Sequence, residues 1–389
     1  MVLTNDQEKA LKIILEKYKH HEKYVTVCGY AGTGKSTLVK FAIEALGVPA
    51  EKVGYACYCG KAAEVLRQKG NTHAMTLHKL LYEHYPREGG GFFRKPRKKL
   101  PYKIVVVDEI SLAPKSMIET LLTHDVFCIF VGDNFQLPQI DKTEAHDYLL
   151  HPDIFLSTIM RQAAESEIIQ LTMKIRNNEP IPFMRGNEVI VMPKKELNTS
   201  HLLWADAIIC GMNSTRHAIN KQMRELKGFN DVLQSGEKIL IKRNYWDAPN
   251  ENGDVLVNGM LGQVYDPFEK IFRIPKRIKS QIREFPVVCA EFIPEVGESF
   301  DIIQFDTNYL LNEEPCLDWK TSYQISQCLG DVLPRQAVYG YSLTCHAAQG
   351  SEWDRVLVIE EKFPYDRLEH ARWLYTAATR AASRLVLVR

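Results

Sequence analysis

No stretch of this 389-residue chain is apolar for long enough to suggest a membrane span. The opening residues, Met1 to Asp6, have neither a basic segment nor an apolar run, which argues against a secretory leader. Net charge is nearly absent: 49 basic and 48 acidic side chains leave a formal +1. That argues against a protein that coats polyanions by bulk attraction, so any grip on nucleic acid must come from local basic patches. Cysteines are scattered and show no paired spacing. The nine residues are an odd number, and Cys28, Cys128 and Cys210 lie inside apolar strand-like runs. Buried, reduced thiols in a cytoplasmic protein are expected. Cys57-Tyr58-Cys59 has no second pair at zinc spacing, so a metal knuckle is not expected. What remains is ordinary globular composition, 45% hydrophobic and 25% charged, with length for about two to four compact units.

Against this background the segment Cys28 to Thr37 stands out, reading C-G-Y-A-G-T-G-K-S-T. Gly29, Gly34, Lys35 and Ser36 satisfy the phosphate-cradling spacing G-x-x-x-x-G-K-[ST], with Gly32, Thr33 and Thr37 completing the candidate nucleotide contacts. Glycines let successive backbone N–H groups curl around phosphate oxygens where a Cβ would obstruct them. Lys35 offers a point charge for the β- and γ-phosphates, and the Ser36 hydroxyl suits Mg²⁺. The context agrees: Tyr24 to Cys28 reads as a buried strand, and 35–46 as a helix whose N-terminus faces the phosphates. Upstream, Thr4-Asn5-Asp6-Gln7 opens a helix to about Tyr18. There Gln7 has two readings, a capping-box partner of Thr4 or an amide that reads an adenine edge.

Further along, Val53 to Cys57 reads as a second strand, followed by a helix from Gly60 and a short one beginning near Met75. Residues 83–100 differ in composition. Gly89-Gly90-Gly91, Phe92-Phe93 and a basic run of Arg94, Lys95, Arg97, Lys98 and Lys99 describe a projecting loop or hairpin. A charge run is usually a solvated face, but two rings at its tip suit stacking on bases or wedging between them. Ile104 to Glu109 is a second anchor, because four apolar residues deliver Asp108 and Glu109 to the C-terminal edge of a parallel sheet. Asp108 would hold Mg²⁺ and Glu109 would polarise the attacking water. A further strand, 127–131, leads to Gly132-Asp133-Asn134-Phe135-Gln136, where Gln136 is either a γ-phosphate sensor or part of a polar turn.

The pattern restarts near Pro152. Strand-like runs at 207–210, 338–344, 356–359 and 385–388 alternate with helical stretches, so this half is also α/β, without a second G-K-[ST]. Residues 263–334 are strand-like and turn-rich, carry a second basic cluster (Lys276, Arg277, Lys279), and read as a small all-β barrel.

Several motifs in order carry a resemblance. Gly29 to Ser36, Gly60-Lys61-Ala62-Ala63, Thr76-Leu77-His78, Asp108-Glu109-Ile110-Ser111 and Gly132-Asp133…Gln136-Leu137-Pro138 come first. Arg161, Thr344-Cys345-His346-Ala347-Ala348-Gln349-Gly350-Ser351-Glu352 and Tyr375-Thr376-Ala377-Ala378-Thr379-Arg380 follow. The chain resembles superfamily 1 helicases of the 5′→3′ branch, the RecD/Dda-like group, over nearly its whole length. The resemblance implies an α/β fold of two RecA-like P-loop NTPase domains with ATP and Mg²⁺ between them. The first would span 1–155 with a pin inserted at 82–100. The second would span 156–262 and 335–389 around the barrel at 263–334. It implies Lys35, Asp108, Glu109, Gln136, Arg161 and Arg380 as catalytic residues, the two arginines as fingers on the γ-phosphate. It favours the adenine reading of Gln7 beside its cap, and adds Gly350 and Glu352 to the nucleotide contacts. Lys61, Thr76, His78, Asn213, Thr344, His346 and Ser351 fall where the family touches single-stranded DNA, with Phe92 or Phe93 as the wedge. Tyr58-Cys59 and Ala347 depart from the family's usual Pro-Thr and Lys, which implies a weaker hold on the DNA backbone.

The implied function is an ATP-driven 5′→3′ DNA helicase acting on single-stranded and forked duplex DNA. It would be a monomer in a bacterial or phage-infected cytoplasm, with a single-strand-binding protein or replication and recombination proteins as candidate partners. Alternatives are a translocase that strips bound proteins, a motor subunit of a recombination nuclease, and a non-catalytic DNA-loading subunit.

Overall fold

The computed structural model describes residues 3–68, 70–86, 92–138, 142–160, 164–230, 233–245, 250, 255–278, 280–329 and 333–389, with side chains at 68, 84–86, 92–94, 142 and 327–329 excepted. Two compact units emerge: Met1–Leu81, Pro96–Arg216 and Leu343–Arg389 form one, Tyr82–Lys95 and His217–Ser342 the other. Among the described residues no helix is long and apolar enough to cross a membrane.

The first unit begins with α1 (Asn5–Lys19), β1 (Tyr24–Gly29), α2 (Lys35–Leu46), β2 (Val53–Cys57), α3 (Gly60–Gln68), β3 (Met75–Thr76) and α4 (Leu77–Leu81). In the second unit, β4 (Tyr82–Pro86) and β5 (Phe92–Pro96) pair as a two-stranded sheet. The first unit resumes with β6 (Ile104–Asp108), α5 (Lys115–Leu122), β7 (Phe127–Gly132) and β8 (Ile154–Leu156). Its first sheet has the order β3-β2-β6-β7-β1-β8, and every pairing is parallel. A parallel sheet is covered on both faces, which is why β1, β6 and β7 read as unbroken apolar runs rather than alternating ones. Val25, Val27, Val106, Ile129 and Val131 pack with Ala10 and Ile14 of α1 and Leu38, Val39 and Ala42 of α2 in one buried cluster.

The second sheet of this unit follows α6 (Glu167–Arg176). It uses β9 (Met184–Arg185), β10 (Val189–Met192) and, after α7 (Thr199–Trp204), β11 (Ala207–Cys210). Past α8 (Asn213–Leu226), the second unit supplies β12 (Lys238–Ile241), β13 (Leu261–Arg273), β14 (Glu284–Pro294), β15 (Phe300–Asp306), α9 (Thr307–Asn312), α10 (Trp319–Leu329) and β16 (Ala337–Tyr339). The chain ends through β17 (Ser342–Thr344), α11 (Cys345–Ala348), β18 (Trp353–Ile359), α12 (Arg367–Ala378) and β19 (Ala381–Val388). The second sheet is ordered β17-β11-β18-β19-β10-β9. Its β11-β18-β19-β10 core is parallel, and β9 is an antiparallel edge.

The second unit corrects one expectation. Residues 263–334 are not all-β, since they contain α9 and α10. Their sheet, β15-β14-β13-β12-β16, draws β12 and β16 from outside that stretch. The helices follow from local chemistry: Asp306 caps α9 by accepting from Tyr309 N–H at 3.1 Å, and Ile325 of α10 seals a cluster with Val287 and Cys289 of β14. These signals are short-range and were masked by the turn-rich composition around them.

Candidate nucleotide site

The phosphate loop leaves β1 and enters α2 through Gly32 and Gly34, both at φ 76°. That left-handed backbone is open to glycine at little cost. At Gly34 a Cβ would also stand 2.5 Å from the Gln7 amide nitrogen, and at Gly29 one would stand 2.9 Å from Leu156 and from the Thr33 hydroxyl. The loop is braced internally. Thr33 Oγ1 donates to the Tyr30 carbonyl at 2.9 Å, and Lys35 Nζ donates to the carbonyls of Gly29 (2.8 Å) and Tyr30 (2.9 Å). The ammonium is therefore held at the mouth of the loop, at the positive end of α2.

Gln7 is 1% exposed and fills both roles of an amide. Its Oε1 accepts from Thr4 N–H at 3.1 Å while its own N–H donates to Thr4 Oγ1 at 3.3 Å, the reciprocal capping box. Its Nε2 donates to the Thr33 carbonyl at 3.2 Å. The cap is thus present, and the amide is fastened to the phosphate loop.

Asp108 and Glu109 sit at the C-terminal end of β6, next to β2 and β7 in the sheet. Asp108 Oδ1 accepts from Glu109 N–H at 2.8 Å. Ser36, Thr37 and Asp108 line one cavity of about 680 Å³ that continues along α2 past Lys40 and Glu44. Glu109 takes a left-handed backbone at φ 49°, uncommon for a residue with a side chain. Its Oε2 is buried without a hydrogen-bond partner, and its Oε1 lies 3.7 Å from Arg380 NH1. Burial pushes its carboxyl above the ordinary range, against the pull of Arg380, and the neighbouring Asp108 adds to the rise.

Arg380 follows α12 and is 5% exposed. Its guanidinium donates to the carbonyls of Thr376 (3.1 Å) and Ser351 (3.3 Å) and to Thr379 Oγ1 (3.2 Å). The second sheet thus delivers a fixed cation to a carboxylate of the first. Gly350, at φ 75°, packs so closely that a Cβ would stand 2.4 Å from Cys59 Sγ and 3.5 Å from Glu109 Oε2. Gln136 lies half-buried in the turn after β7, its N–H donating to the Asp133 carbonyl at 3.3 Å. Arg161 lies outside the described residues.

The expected DNA-facing positions are less uniform. Asn213 is exposed at the start of α8, with its Oδ1 accepting from Arg216 at 3.3 Å. Glu361 holds that end by accepting from the N–H groups of Gly211 (2.6 Å) and Met212 (2.8 Å). Thr344 caps α11 through Ala347 N–H, and Thr76 Oγ1 accepts from Lys79 N–H at 3.2 Å. His346 is half-buried, and desolvation lowers its pKa, favouring the neutral ring. His78 lies against Tyr58, ring centroids 6.0 Å apart, and the Lys61 ammonium sits 4.2 Å from the centre of the Trp353 ring. Ser351 is 4% exposed, whereas Glu352 is exposed. Phe92 and Phe93 start β5, and their side chains lie outside the described residues.

Residues given no role by the sequence motifs also converge here. Arg176, at the end of α6, stacks 3.6 Å above the Tyr30 ring and lies 3.6 Å from Asp133 Oδ1. The Tyr375 hydroxyl bridges Asp133 and the phosphate loop, accepting from Ala31 N–H at 3.2 Å. Tyr375 and Asp133 stand inside quoted motifs, whereas Arg176 carries no sequence signal.

A parallel sheet with a phosphate loop, answered by a buried arginine from a second parallel sheet, is the arrangement of RecA-like helicase domains. The comparisons agree. An AAA domain model matches residues 2–188, and a UvrD-like helicase C-terminal domain model matches residues 339–388. The ATP-dependent RecD2 DNA helicase of Deinococcus radiodurans is 26% identical over 388 residues, covering 95% of this chain and 47% of that protein. The ATP-dependent DNA helicase dda of Enterobacteria phage T4 is 28% identical over 193 residues, 46% of this chain and 43% of that protein. The crystal structure of Pif1 helicase from Bacteroides in complex with ADP-AlF3 and ssDNA shares the fold. Its TM-score is 0.52 at 17% identity, covering 100% of this chain and 92% of that one. The chain spans about half the length of the two curated relatives. The chain is thus similar to RecD- and Dda-like helicases of superfamily 1, the group its motifs resemble.

Proposed function

We propose that the chain is an ATP-driven helicase that moves 5′→3′ along single-stranded DNA and opens forked duplex. One observation carries this reading: Arg380, from the second sheet's side, stands 3.7 Å from Glu109 beside the phosphate loop. A site split in this way is complete only when both parts are in register, which ties hydrolysis to their relative movement. Ser36 and Asp108 offer hard oxygen donors at one cavity, and among the described residues no cluster of His, Cys, Asp and Glu forms a self-sufficient metal cage. That donor set suits Mg²⁺ arriving with the nucleotide, since Mg²⁺ keeps phosphate and water ligands beside one or two from protein. The ion supplies charge neutralisation of the β- and γ-oxygens.

Within the chain, Lys35 and the loop N–H groups hold the phosphates, and Gln7, with Gly350 and Glu352, completes the nucleotide contacts. Glu109, with one orphaned buried oxygen, accepts a proton from the attacking water, and Gln136 senses the γ-phosphate. Arg380, joined by Arg161, neutralises charge on the transferred group. Lys61, Thr76, His78, Asn213, Thr344, His346 and Ser351 follow the DNA backbone, and Phe92 or Phe93 on the β4–β5 hairpin splits the duplex as a pin. The domain limits are those the motifs imply, 1–155 and 156–262 with 335–389, around a β-rich insertion.

Displacement of a strand from duplexes with a 5′ or a 3′ single-stranded tail tests the reading, using wild type and Lys35→Ala. Opening from the 5′ tail alone, lost in Lys35→Ala, is expected. Opening from the 3′ tail alone sinks the polarity. Hydrolysis without displacement from either tail makes the protein a translocase.

A further inference from the structure

The turn that carries Gln136 is held unusually firmly by side chains that precede Arg380 or follow His346. Leu137, directly after Gln136, has both backbone polar groups engaged. Its N–H donates to Thr376 Oγ1 at 2.9 Å, and its carbonyl accepts from Gln349 Nε2 at 2.8 Å. Asp133, at the start of the turn, accepts from the Tyr375 hydroxyl through Oδ2 and from Phe135 N–H through Oδ1 at 2.9 Å. The same hydroxyl accepts from Ala31 N–H in the phosphate loop. Tyr375 and Thr376 are fully buried and Gln349 is 8% exposed.

Apolar packing would bury this turn equally well. Hydrogen bonds from side chains to both backbone groups of one residue do something else: they fix where the backbone lies, and each is costly to leave unmade once buried. The anchors come from two segments. Gln349 lies three residues after His346, in the stretch proposed to touch DNA. Tyr375 and Thr376 lie near the end of α12, which stops two residues before Arg380. A shift of either segment must therefore move the Gln136 turn or break a buried hydrogen bond.

We infer that Gln349, Tyr375 and Thr376 are positioning residues that couple strand engagement near 344–346 to the placement of Gln136, and so set how far single-stranded DNA accelerates ATP hydrolysis. The inference rests on the proposed function. Its test compares wild type with Tyr375→Phe, Thr376→Val, Gln349→Met and Thr376→Ser. The measured quantities are hydrolysis with and without saturating oligothymidylate, KM for ATP, strand affinity by anisotropy, and melting temperature. Phe, Val and Met variants should lose about tenfold or more of the strand-stimulated kcat, the scale of one or two buried hydrogen bonds. Basal rate, KM and strand affinity should hold within about threefold in Thr376→Val and Gln349→Met; Tyr375→Phe, whose hydroxyl also meets the phosphate loop, is judged by its stimulation ratio alone. Thr376→Ser keeps the hydroxyl and should restore stimulation. The Thr376→Val/Gln349→Met double variant should be less than additive, because both residues hold Leu137. Equal losses in basal and stimulated rates, or no loss, overturn the inference while leaving the helicase reading intact. A wild type whose hydrolysis ignores DNA overturns both.

Discussion

Replacing Arg380 by alanine removes a guanidinium that donates to two carbonyls and a hydroxyl and stands 3.7 Å from Glu109. Two consequences separate by magnitude. For catalysis, an arginine on the transferring phosphoryl is worth about 10³–10⁵ in kcat, or about 4–7 kcal/mol of barrier. For folding, three hydrogen bonds at about 0.5–1.5 kcal/mol each predict a loss of roughly 2–4 kcal/mol. Glu109, left without its counter-charge, adds to that loss at neutral pH. Arg380→Lys keeps the charge and loses the fork, so it should fall between wild type and alanine in rate. Glu109→Gln should soften the stability loss of Arg380→Ala, because a neutral amide has no need of the cation. The assay is steady-state hydrolysis at saturating ATP and single-stranded DNA, with binding of a fluorescent ATP analogue and a thermal melt alongside. If a folded Arg380→Ala variant hydrolyses within about threefold of wild type, Arg380 is not a finger and the two-sheet site is wrong.

Further outcomes follow from individual contacts. Glu109→Gln should lower kcat by about 10²–10⁴ through loss of the base. Its raised carboxyl pKa means the folded state binds more protons than the unfolded one above the ordinary carboxylate range, so stability falls as pH rises there. The Gln variant should therefore melt higher than wild type near pH 7, with the gain vanishing near pH 4. Gly350→Ala places a Cβ 2.4 Å from Cys59 Sγ at a left-handed φ, and should cost about 2–4 kcal/mol in chemical denaturation. Adding Cys59→Ala should recover part of that cost and leave the backbone strain. Asp153 accepts from Thr26 N–H (2.8 Å) and Thr26 Oγ1 (2.9 Å) and pairs with Lys17 at 2.9 Å. Burial raises its pKa, but Lys17 and Thr26 outweigh this and hold it below the usual range. Asp153→Asn should thus destabilise at pH 7, by about 1–3 kcal/mol, and the difference should shrink as pH falls through the depressed pKa, below about 4.

The framework of the candidate site was legible because its residue types suit phosphate chemistry and its strands are short, apolar and buried. Asp108 and Glu109 lie at the end of a strand that hydrophobic patterning alone locates, and Lys35 opens the helix that follows another. Gln7 shows where such patterning stops: its cap is a local, four-residue signal, whereas its bond to the Thr33 carbonyl depends on how α1 packs against the loop. Arg176 on Tyr30 and Tyr375 on Asp133 are long-range pairs without spacing rules, so nothing in the string of residues joins them. The second unit was misjudged for a related reason. Its sheet closes with Ala337–Tyr339 of β16 beside Lys238–Ile241 of β12, a pairing across about a hundred residues, and α9 and α10 hide among turn-forming residues.

Movement along DNA driven by the split ATP site is best tested by translocation kinetics. Single-stranded oligonucleotides of increasing length, with a fluorophore at the 3′ or the 5′ end, are pre-bound to the protein and mixed with ATP and a protein trap. For 5′→3′ movement the 3′-end signal has a lag that grows in proportion to strand length, the 5′-end signal has none, and Lys35→Ala shows neither. Lags independent of length at both ends, with ATP hydrolysed normally, would contradict it.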